Sequence, residues 1–161
     1  MCGIGPVEAA VATARAIALD PPARVLNLGV AGAKGITPGR VVIGSEAVYC
    51  DLVAGIPVMQ RLAPDPEFLK AAEAALPHAV ALAIGTTATV DGPCGSNPGI
   101  RVEGMEGFAV LRACALAGVP AVEVRAISNE IGEGDRARWQ ITRGIDTLRS
   151  VLPDLLAALQ K

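Results

Sequence analysis

The chain has 161 residues, is 52 % hydrophobic but only 2 % aromatic, and carries a formal net charge of −2. That length suits one domain over residues 1–161 with a single core, and the abundance of Ala, Val and Gly lets helices and strands approach closely. The slight acidity gives no electrostatic reason to bind nucleic acid or an anionic membrane, no apolar run is long enough to cross a bilayer, and no leader peptide is visible, so a cytoplasmic protein is expected.

In chain order, helix and strand patterns alternate. Met1-Cys2-Gly3-Ile4-Gly5 reads as the end of a strand turning into a helix, with no strand in front of it. Pro6 opens that helix, which runs to about Leu19; proline is tolerated at the first helical position because its missing N–H has no partner there. Arg24–Val30 is a buried strand ending in Gly29-Val30-Ala31-Gly32, and Arg40–Tyr49 is a second apolar strand. Asp65-Pro66 caps and starts a helix ending near Pro77. Ala79–Thr89 is strand-like, and Asp91–Gly99 is a Gly/Pro-rich loop. Met105–Ala117 is helical, with Ala113, Leu116 and Ala117 on the apolar side. Ala121–Ile127 reads as a central strand, hydrophobic along its length as strands covered on both faces are. A last helix starts around Arg136 and is bent or broken by Pro153. The alternation predicts an α/β protein, a three-layer α/β/α sandwich around a central mixed sheet.

The four cysteines, Cys2, Cys50, Cys94 and Cys114, lie far apart without a CxxC spacing, so free thiols are expected rather than a disulfide framework or a zinc site. His78, the single histidine, sits between Pro77 and Ala79 at a turn and reads as a solvated loop residue. This excludes histidine triads and most metal-hydrolase schemes; no metal and no cofactor are expected. The glycines of Gly3-x-Gly5 and Gly29-x-x-Gly32-x-x-Gly35 lack the spacing of a dinucleotide fingerprint.

Two features carry chemistry. The strand Ala121–Ile127 delivers Ser128-Asn129 at its carboxyl end, where open α/β sheets hold ligands. Upstream, Gly104-Met105-Glu106-Gly107 puts a carboxylate at the start of a helix. Taken alone, Glu106 fits a ligand-binding acid or a carboxylate favoured by the helix dipole. Asn129 fits a ligand donor or a cap of the strand's exit turn.

Five segments, CGIGPVEAA (2–10), VLNLGVAGAKG (25–35), GRVVIGSEAV (39–48), VEGMEGFAV (102–110) and VPAVEVRAISNE (119–130), occur in an order that resembles the superfamily of purine nucleoside phosphorylases and methylthioadenosine/S-adenosylhomocysteine nucleosidases. The expanded Glu103-Gly104-Met105-Glu106-Gly107, Asn rather than Asp at position 129, and Gly134-Asp135-Arg136-x-x-Trp139 are similar to the futalosine hydrolase branch, the nucleosidases of the alternative menaquinone pathway. The resemblance spans nearly the whole chain.

What the resemblance implies is N-glycosidic bond cleavage in a 6-oxopurine nucleoside. Glu106 matches the glutamate that accepts hydrogen bonds from the ribose 2′- and 3′-hydroxyls, and Met105 lines the sugar. Asn129 stands where adenosine-cleaving relatives carry an aspartic acid; an amide donates to O6 or N7 but cannot deliver a proton as a carboxylic acid does. Ser128 supports Asn129, and Arg125 is expected to be structural, pairing across the sheet edge. Relatives that use phosphate carry an arginine and a serine where this chain has Asn27 and Val30, so water is the expected acceptor. Gly29, Ala31 and Gly32 let the backbone approach the ligand, or simply serve a tight turn.

Arg136, Arg138 and Trp139 suit the carboxylated aromatic 5′ tail of futalosine, or else form a charged helix start with Trp139 in the core. The family's leading strand and its water-activating glutamate have no counterpart in this chain, and a homo-oligomer is implied. Two alternatives stay open: a methylthioadenosine/S-adenosylhomocysteine nucleosidase, and a catalytically silent short homologue that only binds ligand or oligomerises.

Overall fold

The computed structural model describes residues 2–52, 55–90, 92, 94 and 99–159. Helix α1 spans Pro6–Leu19, and strands β1 and β2 span Val25–Ala33 and Val41–Tyr49. A two-residue strand β3, Arg61–Leu62, precedes helix α2, Pro66–Ala75. Strand β4 is Val80–Thr86, β5 is Val102–Gly104, α3 is Gly107–Ala117 and β6 is Ala121–Glu130. Helix α4 covers Ile141–Leu159. Asp65 caps α2 as its sequence predicts, accepting from the Phe68 N–H at 2.8 Å. Most of the Gly/Pro-rich loop predicted over 91–99 lies outside the described residues.

The strands form one mixed sheet in the order β3-β2-β4-β5-β1-β6, and β6 also pairs antiparallel with β2, so the sheet curls back on itself. Helices α2 and α4 cover one face, where Phe68, Ala72, Leu148 and Leu155 meet Ile43, Val122 and Val124. Helices α1 and α3 cover the other, where Ala9 and Ile17 meet Phe108, Leu111 and Cys114. The three-layer arrangement is the one expected. Among the described residues no helix is long and apolar enough to cross a membrane.

Strand β6 is not uniformly apolar. Its even-numbered residues Val122, Val124 and Ala126 join the α2/α4 core, while Glu123 and Arg125 point to the opposite face and are buried there. The alternation of side chains along a strand puts those two charges together. Nor is β6 an edge near Arg125: it is flanked by β1 and by β2, which pairs with it through Val42↔Arg125.

Two local expectations fail for physical reasons, and a third, a helix bent or broken at Pro153, fails as to the break. The last helix does not begin at Arg136; Arg136–Arg138 is a single 3-10 turn, and Trp139 then adopts extended backbone (φ −71°, ψ 126°). Its indole Nε1–H donates back to the Glu133 carbonyl at 2.9 Å, which ends the turn. Pro153 lies inside α4 without breaking it, because Leu148 before it and Leu155 and Leu159 after it are buried in the same core. Leu116 is 72 % exposed, as α3 turns Phe108, Leu111 and Cys114 inward instead.

The cysteine expectation is also corrected. Cys50 and Cys94 form a disulfide with Cα atoms 5.3 Å apart, whereas Cys2 and Cys114 are free. The end of β2 and the segment at Cys94 meet over Gly85, where a Cβ would lie 2.1 Å from the Cys94 sulfur. A sequence separation of 44 hides that proximity.

Candidate active site

The site is built on the carboxyl end of β1 and its parallel neighbour β6. Their register runs from Val25↔Ala121 to Ala31↔Ile127 and then jumps to Gly32↔Asn129. Ser128 is therefore the extra residue of a bulge, a device that re-aims side chains next to sites. The Ser128 hydroxyl donates to the Asn129 carboxamide oxygen at 2.7 Å and lies 3.2 Å from the Ala31 carbonyl. Asn129 Nδ2 donates to the Glu130 carbonyl at 3.0 Å. A carbonyl only accepts, so this contact fixes which end of the amide is nitrogen, and the second N–H of Nδ2 is left for another acceptor. Gly32 makes the room: a Cβ there would sit 3.0 Å from Asn129 Nδ2.

Glu106 follows β5 and is the N-cap residue of α3, but its side chain makes no cap hydrogen bond to that helix. Its Oε2 accepts from Arg125 Nη1 at 3.2 Å, and its Oε1 accepts from the Gly5 N–H at 3.4 Å. Gly5 is the N-cap of α1, so the carboxylate sits at the positive end of that helix as well. Thr86 Oγ1 accepts from the Phe108 N–H at 2.8 Å and ties the start of α3 to the end of β4. Met105, beside Glu106, is partly buried.

Arg125 links the two halves. Its Nη1 also donates to the Val30 carbonyl at 3.4 Å, one residue before the Ala31 carbonyl that Ser128 approaches. Its Nε donates to Glu123 Oε1 at 2.7 Å, and Asn27 Nδ2 donates to the same oxygen at 3.4 Å. Arg125 is 3 % exposed and Glu123 is fully buried. Burial pushes the Glu123 carboxyl up from its ordinary value, Arg125 pulls it back, and Glu106 adds to the rise. Burial works against the Arg125 charge, but Glu123 and Glu106 outweigh it and hold the guanidinium above its ordinary value.

Arg125 is thus not a sheet-edge pair but a cation between two carboxylates. The sequence did not single out Glu123, and it marked Asn27 only as a position without the phosphate-binding arginine; the cue to the cluster was two charges spaced i, i+2 in an otherwise apolar strand.

The segment after β6 stands beside this cluster. The Gln140 N–H donates to the Ser128 carbonyl at 2.8 Å, which ties the segment to the bulge. The Arg136 guanidinium carbon lies 5.9 Å from the centre of the Trp139 ring. Arg138 is exposed and pairs with Glu133 and Asp135 at 3.4 and 3.7 Å. Trp139 is partly buried, so the indole is neither free nor part of a main core cluster. His78 lies exposed at its turn, where its carbonyl accepts from Arg40 at 3.1 Å.

Residues 1–160 match the model of the phosphorylase superfamily. A futalosine hydrolase from Streptomyces coelicolor is 33 % identical, over 98 % of this chain and 77 % of the relative. A 5′-methylthioadenosine/S-adenosylhomocysteine nucleosidase from Chromohalobacter salexigens is 30 % identical over 86 % of this chain and 68 % of the relative. Among solved structures, the same kind of nucleosidase from Colwellia psychrerythraea, in complex with adenine, superposes with a TM-score of 0.90 at 24 % identity, covering 99 % of this chain and 76 % of that one. The futalosine hydrolase of Helicobacter pylori gives 0.89 at 18 % identity over 97 % and 77 %. At those identities the two structures speak to the fold.

Proposed function

The chain belongs to the phosphorylase superfamily, and on that premise we propose that it hydrolyses futalosine, a 6-oxopurine nucleoside of menaquinone biosynthesis, to hypoxanthine and the base-free sugar product. The observation that carries this reading is Asn129, whose amide nitrogen keeps an N–H for an acceptor while Ser128 holds its oxygen. O6 and N7 of hypoxanthine are both acceptors. A 6-amino group would bring a donor against that donor, and a site built to hydrogen-bond one group rejects the analogue lacking it.

In this reading bond cleavage passes through an oxocarbenium-like ribosyl cation. Glu106 accepts from the 2′- and 3′-hydroxyls and sets its negative charge beside the developing cation, with Met105 against the sugar. Asn129 donates to the departing base as negative charge builds on it. Gly29 gives its space to Arg125 and Gly32 to the Asn129 amide, so they serve the ligand through those two side chains. Water supplies the oxygen that bonds to C1′, and its proton ends on the released purine. Phosphate is disfavoured because the cluster sets two carboxylates, Glu106 and Glu123, against one guanidinium, and Asn27 is spent on Glu123.

The 5′ tail is assigned to Arg136, whose guanidinium lies over the Trp139 ring; Arg138, already paired with Glu133 and Asp135, is the weaker candidate. A cytoplasmic location, expected from the sequence, stands against the Cys50–Cys94 disulfide, since disulfides persist in oxidising compartments. Self-association is assigned to the apolar groove of about 750 Å³ between α1 and α3, lined by Val7, Val11, Phe108 and the exposed Leu116.

The test is hypoxanthine release from futalosine by the purified chain, with and without phosphate. Equal release in both supports hydrolysis. Release only with phosphate, yielding a sugar 1-phosphate, or no release at all, rejects it.

A further inference from the structure

We propose that Glu123 is a positioning residue: it grips Arg125 at Nε so that the opposite part of the guanidinium is presented to the carboxylate of Glu106. The inference rests on the proposed role of Glu106 at the ribose.

The placement starts in the sequence. A carboxylate and a guanidinium two residues apart in a strand share one face, and β6 is paired on both sides, so neither side chain reaches bulk water. Glu123 has no exposed surface, too deep to meet a ligand itself. Arg125 is a long side chain with several rotatable bonds, and one contact to Glu106 would leave it free to swing. The 2.7 Å bond from Nε to Glu123 and the 3.2 Å bond from Nη1 to Glu106 hold it at two points, and Asn27 steadies Glu123 in turn.

Two glycines on separate elements clear the space this chain of charges occupies. A Cβ on Gly107 would stand 2.1 Å from Glu123 Oε2, and one on Gly29 would stand 2.0 Å from Arg125 Nη1. Position 107 opens α3, where glycine is a poor helix former, so the residue is explained by the carboxylate behind it.

The arrangement is not one that maximises stability. Glu123 Oε2 and Arg125 Nη2 are buried without a hydrogen-bond partner. A well-packed apolar residue at 123 would avoid that cost, as replacements of buried ion pairs often do. Orientation of Arg125, and through it of Glu106, is what the carboxylate supplies.

The experiment compares Glu123→Leu, Glu123→Gln and Arg125→Lys with the unsubstituted protein, reading kcat/KM for futalosine and the Kd of free hypoxanthine. Glu123→Leu is expected to lower kcat/KM by about tenfold or more while hypoxanthine affinity stays within about twofold, because the base contacts Asn129 and not the ribose wall. Glu123→Gln recovers most of the activity, since its amide oxygen still accepts from Nε.

Arg125→Lys keeps a cation but lacks the Nε that Glu123 grips, and it reproduces the loss even if the leucine variant does not fold. The proposal is overturned if Glu123→Leu or Arg125→Lys matches the unsubstituted protein, if Glu123→Gln is as impaired as Glu123→Leu, or if base and nucleoside are lost in equal measure. A protein that cleaves no futalosine before substitution would instead sink the functional reading.

Discussion

Ser128 and Asn129, adjacent on β6, face one another across a 2.7 Å hydrogen bond in which the serine hydroxyl donates to the carboxamide oxygen. Neighbours on a regular strand point to opposite faces. The bulge between Ala31/Gly32 and Ile127/Asn129 is what lets them meet, and it turns the amide nitrogen away from the serine. A local irregularity of the sheet thereby selects the hydrogen-bond character of the wall proposed to meet the base.

Replacing that donor tests the wall directly. Asn129→Asp is expected to reduce kcat/KM for a 6-oxopurine nucleoside by about 100-fold, the scale of losing one preorganised donor. The same change raises activity on 6-aminopurine nucleosides, whose amino group then meets an acceptor. Steady-state kinetics on futalosine and methylthioadenosine read both arms.

Glu106 is the second proposed wall, and its test uses the substrate as well as the protein. The Glu106→Ala variant is expected to lose about 100-fold in kcat/KM, since it removes the proposed ribose acceptor and strips Arg125 of one of its two acidic partners. Deleting the 2′-hydroxyl from the nucleoside should impair the unsubstituted protein markedly and the variant hardly at all. A double cycle of ribo- and 2′-deoxyribonucleosides measures that coupling.

The two glycines around the buried charges separate stability from activity. Gly107→Ala drives a methyl into the fully buried Glu123 carboxylate and is expected to lower stability by about 1–3 kcal/mol. Gly29→Ala meets the far end of Arg125 instead, so the guanidinium moves and kcat/KM falls more than stability does. Urea denaturation beside kinetics distinguishes the two.

A pH effect on stability follows from Cys114. Burial pushes its thiol up to about 11 from 9.0, so the folded state holds the proton more tightly than the unfolded chain. For a value raised on folding, the contribution is complete below the unfolded pKa and is lost as pH climbs through the folded one. Stability therefore declines between about pH 9 and 11, by at most about 2 kcal/mol from this group. Cys114→Ala should flatten the slope, measured as urea midpoints across that range.

Much of the fold was legible because periodicity and punctuation agreed. Pro6 and Asp65-Pro66 mark the starts of α1 and α2, and the apolar strands at Val25–Ala33 and Val41–Tyr49 stand out. Strand β5 was invisible because three residues carry no pattern, and its pairing with β1 and β4 comes only from the tertiary fold. Arg136 looked like a helix start since Asp135 does cap the following turn, with the Ala137 N–H at 3.0 Å, but Trp139 leaves the helical region.

The two proposed walls, Glu106 and Asn129, were readable as chemistry-bearing residues. Arg125 was not: its strand reads as central, but nothing in the sequence says that Glu123 and Glu106 converge on its guanidinium. Cys50 and Cys94 were missed for the same reason, as contacts between distant segments leave no local mark.

The most direct measurement is the ratio of kcat/KM for futalosine to that for methylthioadenosine, taken without phosphate on the unsubstituted chain. An amide donor fixed by Ser128 predicts a ratio well above about 100 in favour of the 6-oxopurine nucleoside. A ratio near or below one would contradict the account, and would make Asn129 compatible with adenine recognition.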